Sequence, residues 1–220
     1  LSTNANLPFV REQELRCACR AYGINPPIFL GYIDGQLPVV HQGQAVGKVV
    51  RLIRQIRPQV IITFGPEGAY GHYDHIAAHR WATIGAYLAA DPSCFPDQSD
   101  NACQPHTVSK LYYHAIPQER LAEMQQGDQP AAVMMDGVPF FFTGRTAEEI
   151  TTIVDISAYA SRKLAGIRCH ATQIRPDSPF AKGQDTVLDS LWFQNESYIL
   201  AGSSTGPAAI KETDLFAGLR

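Results

Sequence analysis

Apolar residues along this chain recur at two spacings, and the spacing changes from segment to segment. Leu7 to Tyr22 carries them at helical intervals and stops at Gly23, ahead of Pro26-Pro27, which predicts an amphipathic helix. Gln44 to Arg57 repeats the pattern through Val46, Val49, Val50, Ile53 and Ile56, and Pro58 ends it. Further helices are predicted from about Asp74 to Ala89, Pro117 to Gln125, Ser157 to His170 and Leu188 to Ala201. Between them, Ile28 to Tyr32, Val60 to Phe64, Val108 to His114 and Ile150 to Asp155 are β-branched or alternating runs that predict strands. Val60 to Phe64 is continuous, as in a strand buried on both faces. Thr146-Ala-Glu-Glu149 matches a capping box, but the β-branched run that follows outweighs it. Asp91 to His106 reads as a long surface loop, and residues 126–149 are weakly patterned.

Strands alternating with helices imply an α/β fold with a mainly parallel sheet flanked by helices. No repeat, heptad or linker divides the chain, so residues 1–220 read as one domain. Functional groups in such sheets collect at the carboxyl ends of strands, which directs attention to the segment after Phe64. Charge adds little: 18 Lys and Arg against 21 Asp and Glu give a net −3, with no cation excess to displace counterions from nucleic acid or an anionic membrane. No apolar run approaches the ~20 residues that span a bilayer, and no signal-peptide pattern opens the sequence. Five cysteines are an odd number. Cys17 and Cys19 point to different helix faces and cannot pair with each other. Cys94 and Cys103 bracket a polar loop and could bridge in an oxidising compartment, yet free thiols in the cytoplasm are the expectation.

Candidate chemistry concentrates in Thr63-Phe-Gly-Pro-Glu-Gly-Ala-Tyr-Gly-His-Tyr-Asp-His75. Glycines permit the tight path of a loop folded over a small cavity. His72 and His75, three apart at a helix mouth, can converge on one point. A neutral imidazole is a good zinc ligand, a second can polarise a carbonyl or donate a proton, and Asp74 can orient a histidine. The glycine spacing fits neither a dinucleotide fingerprint nor a P-loop. His79 reads as a packed or capping histidine; His41, His106 and His114 stand alone and read as structural; His170 is undecided.

The stretch Gly68-Ala-Tyr-Gly-His-Tyr-Asp-His-Ile-Ala-Ala-His79 resembles the Gly-His-x-Asp-His signature of the LmbE-like, GlcNAc-phosphatidylinositol deacetylase (PIG-L) family. Similar in order are Arg11-Glu-Gln-Glu-Leu15, Phe29-Leu-Gly-Tyr-Ile-Asp34, Arg57-Pro58, Val154-Asp155, Lys163 through His170-Ala-Thr-Gln173, and Asp214-Leu-Phe-Ala-Gly218. The resemblance implies a Rossmann-like three-layer fold and a zinc-dependent hydrolase, or one using another divalent metal. Its substrate would be a small-molecule N-acyl amino-sugar conjugate, and assembly into a homo-oligomer is compatible with it. It implies His75 as the metal ligand and His72 as oxyanion stabiliser or proton donor, held charged and oriented by Asp74. Tyr70 would close over the reaction centre, and Arg11 and Asp34 would hold the sugar. The family's His-Pro-Asp-Asp motif, source of two further ligands and the base, does not occur in these 220 residues. The expectation is therefore a chain lacking the first strand–helix–strand unit, binding zinc poorly by itself and inactive by itself. Two alternatives stand beside it: a non-catalytic sugar-binding relative that has lost its ligands, and an amidase or deacylase acting on a non-sugar amide.

Overall fold

The computed structural model describes residues 6–98, 103–124, 130–135, 137–176, 178–181, 185–207 and 211–220. In chain order the elements are α1 (Leu7–Tyr22), α2 (Gln42–Ile56), β1 (Val60–Phe64), the single turn α3 (Gly68–Gly71), α4 (Tyr73–Leu88), β2 (Lys110–Ala115) and α5 (Gln118–Met124). Then follow β3 (Ala132–Met135), β4 (Val138–Phe141), β5 (Thr152–Asp155), α6 (Ala160–Arg168), the short α7 (Leu191–Gln194) and β6 (Asn195–Ser203). The class is α/β, and the chain forms two compact units.

The larger unit spans Leu30–Val154 and Ser197–Arg220. Its sheet runs β1-β2-β6-β5 and mixes directions: β1 pairs β2 in parallel, Val60 opposite Lys110 through Phe64 opposite His114, while β6 pairs β2 antiparallel. α2 and α4 pack on each other, and α4 packs on β1. Val46, Val50, Ile53, Ala77 and Trp81 form the buried core there. Fully buried Arg54 donates to the carbonyls of Ala89 (3.2 Å), Asp91 (2.8 Å) and Cys94 (2.8 Å). One guanidinium thus satisfies carbonyls left open where α4 ends. Buried Lys110 pairs with Glu212 at 2.6 Å, and Tyr112 donates to the same carboxylate, which fastens the C-terminal segment to β2.

The smaller unit comprises residues through Phe29 together with Asp155–Glu196. α1 packs on α6, and the Tyr22 ring lies so close to Gly166 that a Cβ there would sit 2.1 Å from it. Gly23, at φ 73°, ends α1 in the left-handed conformation that closes a helix most easily. Buried Glu14 accepts hydrogen bonds from the Thr172 N–H and hydroxyl, both at 2.7 Å.

Several expectations need correction. Leu188 to Ala201 is helical only over the short α7, Leu191–Gln194, and continues as β6, because its apolar spacing fits either state and β2 offers an open edge. Ile28 to Tyr32 forms no strand, since no described strand lends it N–H and C=O partners. β1 is not buried on both faces: Ile62 is 47% exposed, and among the described residues β1 ends the sheet. The weakly patterned 126–149 region contains the β3–β4 hairpin, with Gly137 at φ 79° in its turn. Residues 99–102 and 125–129, within the loop and helix expectations, lie outside the described residues.

The thiols also differ from expectation. Cys17 and Cys169 form a disulfide across α1 and the end of α6, with Cα atoms 5.7 Å apart. Cys94 does not bridge to Cys103; its thiol donates to Asp91, and Cys103 is buried and free. Helix phase correctly separates Cys17 from Cys19, but a bridge spanning 152 residues leaves no local sequence signal. The free-thiol expectation therefore fails at Cys17 and Cys169 and holds at Cys19, Cys94 and Cys103. No helix among the described residues is long and apolar enough to cross a membrane.

Candidate active site

Strand β1 delivers the chain to a glycine-rich loop in which Gly68 and Gly71 have positive φ. A Cβ on Gly65 would lie 2.7 Å from the Glu67 carboxylate oxygens. Gly68, at φ +65°, would place one 3.0 Å from His75 Cβ and 2.9 Å from Ile76. Ala69 has φ 67° and ψ −54°, a conformation that residues with a Cβ seldom adopt. Its carbonyl accepts from Thr143 N–H (2.9 Å), and the preceding Glu67 carboxylate pairs with the Arg145 guanidinium.

Helix α4 begins immediately afterwards. His72 is its N-cap, with Nδ1 accepting from the Asp74 N–H at 3.1 Å. An Nδ1 that accepts must carry a lone pair, so the ring proton sits on Nε2. His75 is arranged the other way: its Nδ1 lies 3.1 Å from Gly68 O and donates to it, leaving the lone pair on Nε2. The rings lie 4.7 Å apart and 25° from parallel. Phe64 stacks on His75 at 4.0 Å, and Tyr70 meets His72 and His75 edge-on at 5.8 and 5.1 Å. Burial lowers the His75 pKa, and His72 adds to the lowering. The Gly68 hydrogen bond and the charges of Asp74 and Asp34 oppose it. Burial foremost, then Asp34, raises the Tyr70 phenol.

Asp74 is buried, and backbone groups engage its carboxylate. Its carboxylate accepts from the N–H groups of Gly35 (2.6 Å) and Leu37 (3.1 Å), and so anchors the turn that carries Asp34. The hydrogen bond between Asp74 and His72 runs from the Asp74 main chain. Asp34 is exposed, close enough for its charge to act on Tyr70 and His75. Arg11 is exposed on α1 in the smaller unit. His79 is held by Phe64 O at 2.9 Å and packs on Tyr113, as its structural reading predicts.

Other neighbours had no signal in the sequence. Phe140, from β4, meets Tyr73 edge-on at 5.8 Å, and Phe142 packs on Tyr70 at 5.1 Å. Arg145 and Thr143 grip the loop from the same stretch. None lies within the motif, and no spacing points to them; Glu67 alone sits inside it.

Two comparisons bear on this arrangement. The model of the family described as GlcNAc-PI de-N-acetylase, PIG-L, matches residues 2–86, which include the histidine pair. A deacetylase from Streptomyces griseus, named for 1D-myo-inositol 2-acetamido-2-deoxy-alpha-D-glucopyranoside, is 38% identical over 95% of this chain and 70% of its own length. The chain belongs to the PIG-L family. Its relatives there are amino-sugar N-deacetylases by name, with a second from Streptomyces avermitilis 36% identical over 95% of the PIG-L chain and 76% of its own. In fold, the PIG-L chain is similar to N,N'-diacetylchitobiose deacetylase from Pyrococcus horikoshii. The TM-score is 0.64 at 17% identity, covering 89% of this chain and 64% of that one.

Proposed function

We propose that the protein is a metal-dependent hydrolase that removes an N-acetyl group from an amino-sugar conjugate. Family membership supports the reaction class, and the opposite tautomers of His72 and His75 carry the reading for this chain. Side by side, they offer one Nε2 lone pair and one Nε2–H donor. A metal needs the first; an oxyanion needs the second.

Among the described residues no group of three His, Cys, Asp or Glu could hold a metal ion, so these residues do not make a complete site. His75 suits one coordination position, because the Gly68 carbonyl fixes its tautomer and burial disfavours its protonation. Zinc, when bound, supplies an acidified water and polarises the acyl carbonyl. His72 donates from Nε2 to the oxygen on which charge develops. Collapse then needs a proton on the departing amine, which a neutral His72 could give only by becoming an imidazolate, so the role of its Nε2–H in this reading is to hold the oxyanion. Tyr70, edge-on to both rings, would close over the reaction centre, and Asp34, whose charge reaches Tyr70 and His75, would offer a carboxylate to sugar hydroxyls.

An N-acetylglucosaminyl inositol is the first substrate to test, following the Streptomyces relatives. Acetate release should be measured with the protein expressed from its complete reading frame, against a panel of N-acetylglucosaminides and non-sugar N-acyl amides. The reading predicts release from the sugars, loss with a chelator and recovery with zinc. Preference for a non-sugar amide would overturn the substrate class. A second reading, a sugar-binding relative without metal, draws on the absence of a three-donor group among the described residues. Stoichiometric zinc in the purified protein would remove it.

A further inference from the structure

The strand of chain that follows the β3–β4 hairpin grips the catalytic loop at two points. Thr143 N–H donates to Ala69 O at 2.9 Å, and the Arg145 guanidinium pairs with the Glu67 carboxylate. Arg145 is itself fixed at the end of β2. Its N–H donates to Ile116 O (2.8 Å), and its carbonyl accepts from Gln118 N–H (3.0 Å). Its other guanidinium nitrogen reaches Glu149 at 3.1 Å. The Arg145 and Glu67 side chains are 21% and 19% exposed, so water screens the pair far less than it would a surface pair.

Between these two points sits Ala69 with its left-handed φ of 67°. A strained backbone of this kind persists only where its surroundings over-determine it. The next residue is Tyr70, whose ring meets His75. Glu67 also acts through its main chain, since its carbonyl accepts from Gly71 N–H at 2.9 Å, one residue before His72. We propose that Arg145 is a positioning residue: through Glu67 it holds residues 67–71 in the strained form that sets Tyr70 against the histidine pair. This deepens the deacetylase reading and rests on it only for kinetics. Arg145 carries the role rather than a generic cation because its planar fork binds Glu67 and Glu149 at once.

The test compares Arg145→Ala, Glu67→Gln and Arg145→Lys in the full protein, by amide hydrogen exchange and by steady-state kinetics. In Arg145→Ala and Glu67→Gln, exchange at the Gly71 and Thr143 amides should rise about tenfold or more, with α2 amides unchanged. kcat should fall on the order of ten- to a hundredfold with KM nearly constant, as misplacement of a positioned group does. Arg145→Lys should recover part of both effects. Unchanged exchange at Gly71 and Thr143 in both variants would overturn the proposal. So would a rise in α2 exchange matching theirs, which signals general destabilisation. A parent protein that releases no acetate would defeat the deacetylase reading instead, while the exchange data still decide the role of Arg145.

Discussion

His72 and His75 stand 4.7 Å apart with opposite hydrogen-bonding character, one Nδ1 accepting from Asp74 N–H and the other donating to Gly68 O. Backbone groups set both tautomers, so they are properties of the folded loop rather than of the pair itself. Two-bond proton–nitrogen NMR correlations should therefore show the Nε2–H form for His72 and the Nδ1–H form for His75. The same tautomer at both would contradict the assigned roles.

Gly68 is where that loop tolerates least. At φ +65°, with a would-be Cβ 3.0 Å from His75 Cβ and from Ile76 N, alanine adds both strain and a clash. Gly68→Ala should cost about 1–3 kcal/mol of stability and displace His75. Urea denaturation checks the first, and the His75 NMR signals the second.

Asp74 is predicted to act as an anchor for the 34–37 turn. Asn at this position keeps one acceptor oxygen and puts an NH2 against a backbone N–H, at a cost of about 1–3 kcal/mol. In Asp74→Asn the Gly35 and Leu37 amides should lose protection from exchange before those of α2 do. Intact protection at both would mean that the carboxylate does not hold the turn.

The disulfide makes a thiol-counting prediction. Under denaturing, non-reducing conditions three of the five cysteines should react with a thiol reagent, and all five after reduction. Reduction or Cys169→Ser should cost about 2–5 kcal/mol, read as a lower denaturant midpoint, whereas Cys94→Ser should change little.

Stability should also depend on pH through Glu212. Burial raises its carboxyl pKa, but hydrogen bonds from Lys110 and Tyr112 and the Lys110 charge outweigh that and leave it below the usual 4.5. A lowered folded pKa adds stability above pH 4.5 that is lost as pH falls through the folded value. For Lys110 burial lowers the pKa, and the bonds to Glu212 and Tyr112 more than restore it above 10.5. Its contribution is present below pH 10.5 and lost at higher pH as the folded value is passed. Glu212→Gln should flatten the acid limb of a stability–pH curve and cost about 3–5 kcal/mol near neutrality.

The helices and the histidine pair were legible in the sequence because local signals specify them: apolar spacing, Gly23 and Pro58 as stops, and a compact glycine–histidine motif. β6 was not, since Tyr198, Ile199 and Leu200 continue an apolar spacing that suits a helix until β2 supplies hydrogen-bond partners. For Asp74, sequence proximity to His72 conceals the backbone donors of Gly35 and Leu37, 39 and 37 residues away. Arg145 is 78 residues from Glu67 and Cys169 is 152 from Cys17. Such pairs are set by tertiary packing, and no local periodicity encodes them.

The division of labour between the two histidines is tested most directly by measuring zinc content and acetate release together in His72→Ala and His75→Ala, with the protein expressed from its complete reading frame. His72→Ala should keep its zinc and lose on the order of 10²–10³ in kcat, whereas His75→Ala should lose zinc and activity together. Near-parental turnover in His72→Ala, or undiminished zinc in His75→Ala, would contradict the account.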